Sequence, residues 1–199
     1  VYCEGQIKYI IQIGSDGSAA WSIRRTVGLN VSIDPLEFQN KVISLVEAAK
    51  NETGREMTAD IESIMFTPSE SYVAVEYKFY WRNFSKIENA KIFIGDVFLV
   101  EGFFLQLYGN GEIYMEYSSQ YVIESISSPL PNERDDSIQA LTWWWTQGFA
   151  NGQPAIVLRE KSSALGFLEI LGQNAIIIAS LAFIAAGSLT SFFVFKRRK

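Results

Sequence analysis

Ser71–Phe84 reads SYVAVEYKFYWRNF. Within it Val73, Val75, Tyr77, Phe79 and Trp81 alternate with Ala74, Glu76, Lys78, Tyr80 and Arg82. A period of two is that of a strand with one face buried and the other in water. The odd-numbered set is therefore expected to be core. Such a strand needs neighbours in a sheet and an apolar cover, and the flanking sequence must supply both.

Toward the N-terminus, Gln6–Ile13 reads QIKYIIQI and is followed by Gly14-Ser15-Asp16-Gly17 and then SAAWSIRRTVGL. Two strand-like runs around a Gly and Asp turn predict a hairpin. Asp34-Pro35-Leu36-Glu37 supplies an N-cap, a proline at the first helical position and an early acid, which predicts a helix to about Asn51, ended by Gly54. Its apolar stripe is Phe38, Val42, Leu45, Val46 and Ala49. A strand is expected around Thr58–Phe66, with a turn at Thr67-Pro68-Ser69.

Toward the C-terminus come IFIGDVF, FFLQLYG and EIYMEY, and the Asn110-Gly111 pair before the last of these signals a hairpin. Pro129, Pro131 and the run NERDD mark an exposed loop, and ALTWWWTQGF and QPAIVLRE are the final elements. Short turns link these segments, with no alternating helices. The expected fold class is α+β: a strand-rich antiparallel extracellular domain with one main helix, followed by a single C-terminal transmembrane helix.

That last helix is read from residues 175–195, AIIIASLAFIAAGSLTSFFVF, a stretch without charge. At about 1.5 Å per residue it spans a hydrocarbon core of roughly 30 Å. Lys196, Arg197, Arg198 and Lys199 follow at once, and the positive-inside rule assigns them to the cytoplasm. The expected organisation is residues 1–160 as extracellular domain, 161–174 as amphipathic connector, 175–195 as membrane helix and 196–199 as cytoplasmic tail. VYCEGQIKYI has neither the basic start nor the apolar stretch of a signal peptide, so a cleaved signal is expected to have preceded it.

The four basic residues of the tail leave thirteen Lys and Arg against twenty-two Asp and Glu in the rest, a formal net of about −9. An acidic domain repels a phosphate backbone, so nucleic acid is not an expected partner. Cys3 is the sole cysteine, so no intrachain disulfide can form. Asn30-Val-Ser, Asn51-Glu-Thr and Asn83-Phe-Ser are sequons on the expected outer side.

The sequence contains no histidine, which removes the usual general base of hydrolases and the commonest zinc ligand. Nucleophile elbow, Walker loop and CxxC pair are all missing from it. Catalytic chemistry would fall to carboxylate pairs, with Asp60 and Glu62 or Asp96 and Glu101 as the nearest candidates. Asp135 and Asp136 lack the spaced oxygens of a calcium loop and read as an exposed turn. The expectation is a protein without enzymatic activity, cofactor or metal.

Trp143, Trp144 and Trp145 are consecutive. On a strand Trp143 and Trp145 share one face and Trp144 the other. Either both faces are covered, by the helix and by a loop, or one face is exposed and binds. An exposed tryptophan can anchor a protein interface, stack on a sugar ring or sit among headgroups. If an interaction surface exists, Trp143, Trp144, Trp145 and Phe149 are its first candidates. Ala182 with Ala186 and Gly187 with Ser191 place small residues four apart in the hydrophobic helix, which allows a weak homo-oligomer.

The motifs DGSAAWSI (Asp16–Ile23), GREM (Gly54–Met57), YKFYWRNF (Tyr77–Phe84), GDVF (Gly95–Phe98) and the late tryptophans followed by GQPAIVL resemble an uncharacterised archaeal family. In that family an ectodomain lies between a signal peptide and a membrane helix, and the resemblance covers most of residues 5–160. It implies no established activity. Some similar proteins continue into a cytoplasmic winged helix, which implies envelope sensing; here the sequence ends at Lys199, so a signal would need a partner. The function expected from all this is a membrane-anchored surface domain that binds another envelope protein. A carbohydrate-binding or carbohydrate-active protein is the alternative, and a sensory ectodomain acting through a partner is a third.

Overall fold

The computed structural model describes residues 6–161. The connector beyond Lys161, the expected membrane helix 175–195 with its small-residue pairs, the tail 196–199 and Cys3 lie outside the described residues. The chain divides at Glu160/Lys161, and the first unit is a strand-rich α+β domain with one main helix.

The expected hairpin is β1 (Ile7–Ile13) and β2 (Ala19–Val27), with Gly14 N–H bonded to Ser18 O at 2.9 Å. The helix α1 covers Pro35–Thr53, a little longer than expected, because Thr53 still fits its last turn by donating to Ala49 O. The Asp34 carboxylate accepts from Leu36 N–H, and Gly54 closes the helix at φ 66 with its N–H on Lys50 O. A left-handed C-cap of this kind favours glycine. All five residues of the expected stripe are buried.

β3 (Thr58–Pro68) and β4 (Val73–Arg82) follow, then the short β5 (Lys86–Glu88) and β6 (Lys91–Ile94). A 3-10 turn at Asp96–Leu99 and a short helix α2 (Phe103–Leu107) lead into β7 (Glu112–Tyr117). β8 (Tyr121–Ile126), β9 (Glu133–Asp135), β10 (Ala140–Trp143) and β11 (Ile156–Glu160) complete the order. One sheet has the order β3-β4-β2-β1-β7-β10-β9 and the other β5-β6-β11-β8.

Two expectations are corrected. The first is that Asn110-Gly111 makes no hairpin with FFLQLYG, because Phe103, Phe104 and Leu107 are buried at helical spacing while Leu105 is exposed. β7 pairs instead with β1, in parallel, so the large sheet is mixed rather than antiparallel throughout. Gly111 makes this approach possible: a Cβ there would lie 2.5 Å from Ile7 O. The second concerns NERDD, whose Glu133–Asp135 form a short edge strand, although they are exposed as expected.

One face of the large sheet is core. Of the expected set on β4, Val75, Tyr77, Phe79 and Trp81 are buried, and Val73 at the strand's start is partly buried against the same core. Nine rings form an unbroken chain of contacts from Trp143 through Phe149, Phe98, Phe103 and Trp81 to Phe79, Phe38, Tyr77 and Tyr108, with Tyr9, Trp21, Phe84 and Phe104 packed beside it. Such stacked, tilted and edge-on pairs add about 0.5–1.5 kcal/mol each beyond area burial. The other face is polar and laced with ion pairs, among them Lys8–Glu112, Arg24–Glu76 and Arg82–Asp60.

Because Gly111 sits against backbone that cannot yield like a flexible side chain, Gly111→Ala should lower stability by about 1–3 kcal/mol. Urea unfolding measures this; a loss below about 0.5 kcal/mol would mean that β1 and β7 part at no cost.

Candidate functional site

Two places on the domain gather the residues singled out above. The first is built around Arg55, just after the α1 cap. Its guanidinium holds the Asp96 carboxylate through two bonds, Nε–Oδ2 at 3.0 Å and Nη2–Oδ1 at 2.7 Å. It also donates to the carbonyls of Asn83 and Phe84. Asn83, in the left-handed region at φ 56, returns an Nδ2–H bond to Glu56 O at 2.9 Å. Ser85 N–H donates to Gly17 O at 2.7 Å. A Cβ on Gly95 would lie 2.6 Å from Pro154 O. DGSAAW, GREM, the end of YKFYWRNF, GDVF and GQP thus meet at one junction. A cleft of about 380 Å³ beside it is lined by Asp16, Arg55, Glu56, Asn83, Ser85, Lys86 and Ile87.

Above that cleft the Ser18 hydroxyl and N–H donate to Asp16, and Tyr80 OH reaches both Ser18 and Asp16. The Ser18 hydroxyl holds the Asp16 carboxyl below its ordinary value. The stabilisation this gives is present above the ordinary carboxylate range and is lost as pH falls through the lowered value.

One carboxylate of each pair considered for catalysis is held in an ion pair. Asp60 is exposed and bound to Arg82, while Asp96 is taken by Arg55. Asp135 accepts from the N–H and hydroxyl of Ser137, and Asp136 from Arg134, which makes a self-contained surface turn. Among the described residues no cluster of three or more His, Cys, Asp or Glu could hold a metal.

The second place is the tryptophan triplet, where the expected alternation is corrected. β10 stops at Trp143, so the three are not consecutive strand residues. Trp143 is buried, with its indole N–H on Pro129 O at 2.9 Å and its ring edge-on to Phe149 at 5.3 Å. Phe149 is buried too, against Phe98 and Phe104. Trp144 and Trp145 are 52% and 61% exposed, on the same loop.

That loop is pinned on both sides. Asn132 Oδ1 accepts from Trp144 N–H at 2.9 Å. Asn110 Oδ1 accepts from Thr146 N–H and from the Thr146 hydroxyl, at 3.0 and 2.7 Å. Nothing in the local sequence pattern marks Asn110, Asn132 or Arg55 as positioning residues. The available signal is a general one, that an Asn side chain can satisfy backbone donors as readily as it can occupy a turn.

Strand register places several exposed apolar residues near this end of the large sheet. Trp143 lies opposite Ile113 at the start of β7, β7 starts beside the start of β1, and β1 starts beside the end of β2. Leu29 and Val31 follow β2 and are half exposed, as is Leu130 beside Pro129. Asn30, the sequon in that β2–α1 loop, is exposed; Asn51 lies in the last turn of α1, and Asn83 beside Arg55.

Arg55 makes four contacts that a lysine ammonium cannot match in geometry. Arg55→Lys should therefore cost about 2 kcal/mol in urea unfolding, and Asp96→Asn a similar amount. The double variant should cost less than the sum, and strict additivity would contradict a shared junction.

The profile of a domain of unknown function, DUF7345, matches residues 31–121, from the loop before α1 to the first residue of β8. The matched span includes Arg55, Asp96 and Asn110 and stops before the tryptophans. No curated protein matches the chain. Among solved structures, the folded domain of LppM from Mycobacterium tuberculosis is similar over 82% of this chain and 96% of its own, at 10% identity and a TM-score of 0.36. An aminopeptidase N family protein from Idiomarina loihiensis is similar over 77% of this chain, at 12% identity and a TM-score of 0.37. The likeness covers 29% of that protein. At these TM-scores neither likeness carries an argument about this chain.

Proposed function

We propose that the domain is the outer part of a single-pass surface protein and acts by binding an envelope protein through the Trp144–Trp145 loop, without catalysis. The observation that carries this reading is the presentation of two adjacent, half-exposed tryptophans on a loop fixed by Asn110 and Asn132. Large rigid rings bury much area for little lost conformational freedom, which suits them to be interface anchors. Pinning the loop lowers the ordering cost of binding further.

Membrane attachment in this proposal rests on the uncharged stretch 175–195 and the basic residues 196–199. Among the described residues, no helix is long and apolar enough to cross a membrane. Glu160 pairs with Tyr121, a short turn beyond Tyr117 at the end of β7, whereas Trp143 pairs at the start of β7. The last strand, β11, lies in the four-stranded sheet, and the tryptophan loop follows β10 of the seven-stranded one.

A photo-crosslinking residue placed at Trp145 in the full chain, in its native membrane, tests this reading. One defined protein adduct is expected, lost when Trp144→Ala is added and not formed from the exposed Ile138 position. Adducts with glycan only would favour the carbohydrate reading, and equal labelling from both positions would contradict a dedicated surface.

A further inference from the structure

We propose that the outer edge of β3 pairs with β3 of a second copy of this chain, antiparallel and centred on Met65. Four strand edges end the two sheets, and three of them are blunted. β9 and β5 are three residues long and carry charges, Glu133, Arg134 and Asp135 on one and Lys86 and Glu88 on the other. β8 carries Glu124, which engages Lys91 and Arg159. Short, charged edges are how proteins avoid pairing with other chains.

β3 differs. At eleven residues it is the longest strand of the domain, and among the described residues its only strand partner is β4. Its first half is protected by a bulge between Ile61 and Ser63 and by Asp60 and Glu62. Its second half, Ser63–Thr67, carries no charge and no bulge, and Met65 and Phe66 are 43% and 50% exposed. Alternate backbone N–H and C=O groups along this half point outward, available to another strand.

The occupant follows from register. Side chains on a strand alternate between faces, so two copies can pair only with residues of the same face opposite each other. Ile64 and Phe66 belong to the core side of the sheet, opposite Tyr77 and Val75 of β4, while Met65 lies on the other side, opposite Glu76. Centred on Met65, Ile64 of each copy faces Phe66 of the other, Ser63 faces Thr67, and Met65 faces Met65. This register uses the whole uncharged half. It stops at Pro68, which has no N–H to give, and at Glu62, where the bulge begins. A register displaced by two residues in either direction draws in Glu62 or Pro68. Within the paired segment no charge meets a like charge, a requirement that an acidic chain must satisfy to pair with itself.

The edge is distinct from the tryptophan loop, so the two readings fail separately. The test uses the full chain in its native membrane on a Cys3→Ser background, with single cysteines at Met65 or at the comparably exposed Ile138 and a short bis-maleimide crosslinker. Dimer should form at least about tenfold more from Met65→Cys than from Ile138→Cys, and adding Phe66→Lys should abolish the excess. Adding Trp144→Ala with Trp145→Ala should leave it unchanged. Equal yields from the two cysteines would overturn the proposal, as would a Met65→Cys dimer that survives Phe66→Lys in a chain of unchanged circular dichroism.

Discussion

The constraint on which everything else rests is that one face of a seven-stranded sheet must be covered by a connected mass of aromatic rings, with no intrachain disulfide to help. Trp21, Tyr77, Phe79 and Trp81 on the sheet, Phe38 on α1, Phe84 and Phe98 in the connections and Phe103 and Phe104 on α2 interlock at ring-centre separations of 4.7–6.4 Å. Removing one ring disturbs several neighbours, because the contacts are shared rather than paired off. The loops are held to the sheet by the same rings, so the rigidity of the tryptophan loop begins in the core, at Trp143 and Phe149.

Arg55 complements this packing with polar geometry. Two chain segments lie against it, one contributing the carbonyls of Asn83 and Phe84 and the other the Asp96 carboxylate, and a guanidinium can satisfy several acceptors at once in a fixed fork. The short stretches Asp16–Ile23, Gly54–Met57, Tyr77–Phe84 and Gly95–Phe98 look unrelated along the sequence and become neighbours only here. Their common task is to join the helix cap, the end of β4 and the 3-10 turn, and the exposed tryptophans stand apart from that task.

Local signals were legible. The period of two in β4, the Asp34-Pro35 start and Gly54 end of α1, and the turn between β1 and β2 each depend on residues close in sequence, and the structure carries all of them. Long-range choices were not. Nothing in EIYMEY says that it pairs in parallel with QIKYIIQI about a hundred residues earlier, since an apolar strand face fits either direction. Asn110-Gly111 has the letters of a hairpin, yet the Asn110 side chain serves Thr146 and the glycine admits Ile7 O. Alternation alone makes the triplet Trp143–Trp145 strand throughout; β10 ends because Trp144 N–H goes to an Asn132 side chain instead of a strand carbonyl. Side-chain competition for backbone donors is invisible to periodicity.

The division of labour within that triplet is the centre of the account: one tryptophan holds the fold and two face outward. Urea unfolding of Trp143→Ala, Trp144→Ala and Trp145→Ala measures it directly. The account predicts a loss of about 3–5 kcal/mol for Trp143→Ala and less than about 0.5 kcal/mol for each of the other two. Equal losses at all three positions, or a larger loss at Trp144 or Trp145 than at Trp143, would contradict it.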